Sequence, residues 1–148
     1  MWRLTTNRRE TRSSTRRVMT PQSDFMVLGA IIPEREAELR SLLESMNGAP
    51  GHVDPNNAMI PFGQFDTVHV ARFVILKDNS PDEVCAYGLP RRDYPLYLAF
   101  LGNVDGEADT FLEDVARRAA PGLRAMFSCC KGFKSETDLV DWMKRNSR

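Results

Sequence analysis

The run Thr67–Lys77, T-V-H-V-A-R-F-V-I-L-K, is the longest β-branched and apolar stretch in the chain and the strongest constraint on its fold. Read alternately, it gives Val68, Val70, Arg72, Val74 and Leu76 on one side and Thr67, His69, Ala71, Phe73 and Ile75 on the other. Both sets are mainly apolar, whereas a strand with one wet face alternates apolar with polar residues. The pattern predicts a strand covered on both faces. Helices of the same chain supply one cover, and another surface, such as a second copy, supplies the other.

The remaining elements are placed by periodicity and breakers. Phe25–Pro33 reads as a strand apolar on both faces, closed by Pro33. A helix follows, with Glu34 and Glu36 in its first turn, where the helix dipole favours acids. Leu39, Leu42, Leu43 and Met46 form its apolar stripe, and Asn47-Gly48 its stop. Residues 49–66 make a long connection holding Pro50, Pro55 and Pro61. Its Met59, Ile60, Phe62 and Phe65 are expected to pack down, and loops of this length are often binding loops or lids. Asp78–Pro95 is polar and turn-rich, with room for a short strand near Glu83–Tyr87. Leu96–Val104 reads as the next strand, and Glu107–Ala119 as a helix with Phe111, Leu112, Val115 and Ala116 on its stripe, broken by Pro121-Gly122. Leu123–Phe133 is read as a helical turn leading into a strand near Phe127–Lys131. A last helix is expected from Ser135, with Ser135 and Asp138 spaced as a capping box and Leu139, Trp142 and Met143 on its apolar side.

Charge divides the chain in two. Residues 1–22 hold Arg3, Arg8, Arg9, Arg12, Arg16 and Arg17 against Glu10 alone, a net of +5 in a chain of formal charge zero. With almost no apolar residues, this segment is expected to be a disordered basic tail, the true start being Met1 or Met19, followed by a single domain over 23–148. The mildly acidic body is no natural nucleic-acid binder, so any such role falls to the tail. Cys85, Cys129 and Cys130 are three cysteines without a secretory leader, which predicts free thiols in a reducing, cytoplasmic setting. The longest apolar run is far too short to span a bilayer, and no membrane association is expected.

Strand plus helix occurs twice in similar form: F-M-V-L-G-A-I-I-P-E-R-E-A-E-L and L-Y-L-A-F-L-G-N-V-D-G-E-A-D-T-F-L. Each helix is followed by a candidate strand, giving β-α-β-β-α-β, and right-handed crossovers set both helices on one face of an antiparallel sheet. Over Phe25–Phe133 this α+β pattern resembles the ferredoxin-like fold, and within it the dimeric α+β-barrel group, with the last helix as an addition. That resemblance implies two sheets packed face to face and relatives that include small monooxygenases and haem-handling proteins. V-H-V-A-R-F-V-I-L, with P-G-L-x-A and C-K-G-F, is also similar to domains within larger uncharacterised bacterial proteins, a likeness that carries no activity. Independently of resemblance, helices covering one face leave apolar residues on the other, and a patch of that size is rare on soluble monomers. A homodimer or docking to a neighbouring domain is therefore expected. The long connection and the last helix are the covers available within one chain.

Few residues suggest chemistry. Arg72, among apolar neighbours, needs a partner: either a small organic anion gripped by its planar fork, or a structural acid such as Asp66, Asp105 or Glu107. His69 is open to a role as base or ligand, or as a half-buried histidine bonded locally. It stands three residues from Arg72 and so on the opposite face unless a bulge intervenes. The long connection offers His52 and Phe62 as ligand-binding candidates, and Cys130 is a further one, although adjacent Cys129 and Cys130 fit inert core thiols better. The histidine spacing does not suit zinc, and no nucleotide or hydrolase motif occurs. The first expectation is a non-catalytic ferredoxin-like assembly domain with no cofactor. The alternative is a dimeric α+β-barrel enzyme, with His69 catalytic, Arg72 as anion clamp and haem or flavin as the implied cofactor.

Overall fold

The structure, a computed structural model, describes residues 20–91 and 93–148. The expected tail lies outside the described residues up to residue 19. Gln22, assigned to that tail, already opens the first strand.

The protein is α+β. Its main sheet has three antiparallel strands, β1 (Gln22–Ala30), β4 (Val68–Leu76) and β5 (Tyr97–Asp105), in the order β1-β5-β4. A two-residue partner, β3 (His52–Val53), makes a small hairpin with β2 (Asn47–Ala49). The helices are α1 (Glu36–Glu44), α2 (Pro81–Ala86), α3 (Ala108–Arg118), α4 (Ala120–Phe127) and α5 (Leu139–Arg145), with short 3₁₀ turns at Pro33–Arg35 and Phe62–Gln64. The Thr67–Lys77 run, expected to be covered on both faces, forms the edge strand β4, and β5 is central. Composition could not separate the two, because both are apolar at successive positions. What places β5 centrally is its pairing along its whole length with both neighbours.

One face of the sheet carries the core. Phe25 and Val27 of β1, Leu98, Phe100 and Val104 of β5, and the half-buried Ala71, Phe73 and Ile75 of β4 turn toward the helices. The Phe100 ring stacks on Phe73 at 4.4 Å and meets Phe25 edge-on at 4.9 Å. Phe25 in turn touches Phe111 of α3 at 5.0 Å. Helix α3 packs on β1, β5, α4 and α5, and α1 packs on α4. Gly102 of β5 is required by its neighbours: a Cβ there would run into the Val70 carbonyl and stand 2.8 Å from the Phe25 ring.

Helix α3 ends at Arg118, ahead of Pro121-Gly122 as expected, and the same pair then opens α4, with Pro121 in its first turn, where a missing N–H costs nothing. Gly122 lets α4 press on the 49–66 connection, since a Cβ would run into the Met59 carbonyl. The strand expected near Phe127–Lys131 shrinks to one bridge between Cys130 and Ile31. The short strand near Glu83–Tyr87 is helix α2, inside a long excursion joining β4 to β5. The last helix begins at Leu139 rather than Ser135, and its cap is Asp138, whose carboxylate accepts the Asp141 N–H at 2.9 Å.

The long connection packs down as expected, organised by one side chain. Buried Asn57 donates to the carbonyls of Asp54 (2.9 Å) and Ile60 (2.8 Å) and accepts the N–H groups of Met59 (3.0 Å) and Ile60 (2.9 Å). Phe62 and Phe65 then reach Phe100 and Phe111 on the helical side. Helix α5 joins the same layer, with Trp142 against Phe127 (4.7 Å) and Phe133 (5.4 Å). Neither available cover reaches the opposite sheet face.

Candidate functional site

The register of the three strands defines the face that the described residues leave uncovered as four rows. They are Asp24–Asn103–Val70, Met26–Leu101–Arg72, Leu28–Ala99–Val74 and Ala30–Tyr97–Leu76. Side chains alternate along a strand, so the residues of each row point the same way, away from the helices. Met26, Leu28, Val74 and Leu101 neither belong to the core nor pack against it. Val70 is 55% exposed, Leu76 41% and Tyr97 37%. Ala99 alone is fully buried, because it is short and stands between Leu28 and Val74. The face is apolar at its centre and polar at the end where β1 begins, where Asn103 donates to Asp24 at 2.8 Å.

His69 reaches this face through a β-bulge. Val68 pairs with Val104 and Val70 with Asn103, leaving His69 as the extra residue. Its Nε2 lies 2.9 Å from Asp105 Oδ1 and 3.1 Å from Gln22 Nε2. Asp105 and Gln22 are opposite one another and belong to the outward set. The bulge therefore puts His69 and Arg72 on one face, which simple alternation forbids. It does not bring them together: Asp105 and Leu101, their respective row partners on β5, are four residues apart, about 13 Å of strand.

Arg72 is exposed, and among the described residues it has neither an ion pair nor a side-chain hydrogen bond. Asp105, one of its expected partners, is taken by His69. Phe62 and Arg72 both line a groove of about 210 Å³ at the outer edge of β4. His52 lies exposed on the β2–β3 hairpin. Cys130 is fully buried beyond the other side of β1, where burial first, and then the neighbouring Cys129 thiol, push its pKa up to about 12. A thiol so held is protonated at neutral pH and a poor nucleophile.

Two larger hollows lie elsewhere. One, of about 530 Å³, sits in the β4–β5 excursion between Pro81, Val84, Leu89, Pro90 and Tyr94. Among the described residues the one carboxylate lining it, Asp78, already accepts the N–H and hydroxyl of Ser80 at 2.8 and 2.7 Å, and these bonds hold its pKa down. The other, of about 520 Å³, lies between the end of β5 and α3 and is lined largely by acids. Neither is lined by any of the five side chains singled out in the sequence. No group of three or more metal-ligating side chains occurs among the described residues. No helix among them is long and apolar enough to cross a membrane.

Sequence reasoning reached the idea of an uncovered face but not its members. Met26, Leu28, Tyr97 and Leu101 belong to it by register alone, which no local pattern encodes. In comparisons with known proteins, the chain matches no family model, no curated protein and no solved structure.

Proposed function

We propose that this chain is a non-catalytic ferredoxin-like assembly domain that docks through its open sheet face, self-associating or seating against a neighbouring domain. One observation carries the reading: an apolar face of three strands that neither the long connection nor α5 covers. Burying such a face releases ordered water at roughly 25 cal/mol per Å². The ferredoxin-like assignment draws on strand order. Three strands run in the order first, third, second, and Cys130 bridges the outer edge of β1 where a fourth strand would lie. Both connections pass over the helical face, as in a split βαβ fold.

The test is sedimentation equilibrium of the full chain and of Met26→Asp and Leu28→Asp, two changes on β1, the strand farthest from the open edge of β4. The wild type is expected to form a concentration-dependent dimer and each variant to remain a folded monomer. A dimer that survives both changes overturns the reading.

A second reading, an enzyme of the dimeric α+β-barrel type, rests on the bulge. In the Nε2–H tautomer, His69 donates to Asp105 and keeps a basic Nδ1, the arrangement of an oriented general base. Arg72 on the same face would serve as the anion clamp. Loss of ligand binding in His69→Ala supports this reading, and unchanged binding removes it.

A further inference from the structure

β4 has the composition of a central strand and the position of an edge. Its inner side pairs with β5, and among the described residues no backbone group of residues 69–76 bonds to anything else. The other edge of the sheet is treated differently. Along β1, the Ile32 N–H reaches the Cys129 carbonyl, the Lys131 N–H reaches Ala30, and Asn146 and Arg148 bond to Leu28 and Met26. An unpaired row of N–H and C=O groups on a long, β-branched strand is a template for another strand.

Side chains beside this edge point the same way. On the helical side of β4, Phe73 and Ile75 are only half-buried, while Phe100 and Leu98, their partners on β5, are fully buried. The helical layer therefore covers β4 only in part, with Phe127 of α4 reaching the Phe73 ring at 6.3 Å. Beyond β4 lies the groove of about 210 Å³, between Ala71–Phe73 on one side and Leu43, Met46, Val53 and Phe62 on the other, with Glu44 and Asn47 also in its lining. Val53, on the hairpin, is 54% exposed. On the opposite face of the same strand stands Arg72, with no acidic partner among the described residues.

We propose that the outer edge of β4 is a β-augmentation site for an extended peptide segment carrying a large apolar residue next to an acidic one. Adjacent residues of an added strand point to opposite faces. The apolar side chain enters the groove and adds the cover that Phe73 lacks, and the acidic neighbour lies across from Arg72. The backbone ladder supplies affinity, and the two alternating positions supply specificity. A second copy is the poorer occupant. Edge-to-edge pairing about a two-fold axis brings one Arg72 toward the other, and like charges across strands are destabilising. It also brings a second β2–β3 hairpin to the edge that the first already flanks. This edge adjoins the open face at Arg72, but it takes a strand along its backbone and does not depend on the reading given above.

The test uses two synthetic probes, acetyl-Thr-Leu-Glu-Leu-Glu-Leu-Thr-amide and the same peptide with lysine in place of glutamate, titrated into the full ¹⁵N-labelled chain. Arg72 and Val53 are exposed, so Arg72→Glu and Val53→Asp keep the fold. The glutamate peptide is expected to shift the amides of β4 and Val53, to slow exchange along residues 69–76, and to bind about threefold or more tighter than the lysine peptide. Arg72→Glu reverses that preference, Val53→Asp weakens both peptides, and Leu28→Asp, on the strand farthest from this edge, changes neither. The proposal is overturned if no binding occurs at millimolar peptide, if the shifts map to Met26 and Leu101, or if Arg72→Glu leaves the preference unchanged. Self-pairing of β4 that the peptide does not displace gives the edge to a second copy and equally overturns it.

Discussion

At the scale of single residues, contact distances set the tolerances. Gly122 sits inside a helix, where alanine ordinarily gains about 1 kcal/mol. Here a methyl group runs into the Met59 carbonyl, so the sign reverses. Gly122→Ala is expected to lower stability in urea unfolding by about 1–3 kcal/mol, and Gly102→Ala by at least as much, because its methyl meets backbone on one side and a buried ring on the other. The thiols give a second prediction. Cys85 is exposed, while Cys129 and Cys130 are buried. Ellman's reagent should titrate one thiol in the native protein and three after denaturation. Cys130, with its folded pKa raised to about 12, stabilises the fold fully below the unfolded thiol pKa near 9 and loses that contribution as the pH climbs toward 12. Stability measured from pH 8 to 10.5 should fall with pH, and less steeply in Cys130→Ala.

Elements were legible to the extent that their pattern was local. The strand-helix units β1–α1 and β5–α3 declare themselves by unbroken apolar strand runs and by the stripe Phe111, Leu112, Val115 and Ala116. Leu123–Phe133 was harder, since Pro121-Gly122 both follows the end of one helix and opens the next, and its breaker composition declares only the first. The α5 cap follows the same logic. Ser135 and Asp138 both suit a helix start, and tertiary packing of Trp142 selects Asp138. Asp138→Ala is expected to cost about 1 kcal/mol in thermal unfolding, with Ser135→Ala near neutral. Of the candidate site, His69 and Arg72 were visible as polar residues in an apolar strand. Their sharing of a face was not visible, because it depends on a one-residue bulge that alternation cannot reveal.

At the scale of the molecule, the asymmetry of the layers governs behaviour. Helices, the long connection and α5 all gather on one side, and the other side presents Met26, Leu28, Leu101 and Val74 to whatever docks there. The footprint, three strands by four rows, is about 14 by 27 Å. That is less than the roughly 800 Å² per partner of a standard stable interface. The expected self-association is accordingly weak and concentration-dependent, not obligate.

The pairing scheme also sets a timetable. β4 and β5 meet across the single excursion between Leu76 and Tyr97, whereas β1 must find β5 across more than sixty residues, from Ala30↔Tyr97 outward to Gln22↔Asp105. Closing the longer loop costs more entropy before any contact offsets it. The β4–β5 pair is therefore the early nucleus and β1 the late arrival. Changes at Val74 should slow refolding, while changes at Val27 should mainly hasten unfolding.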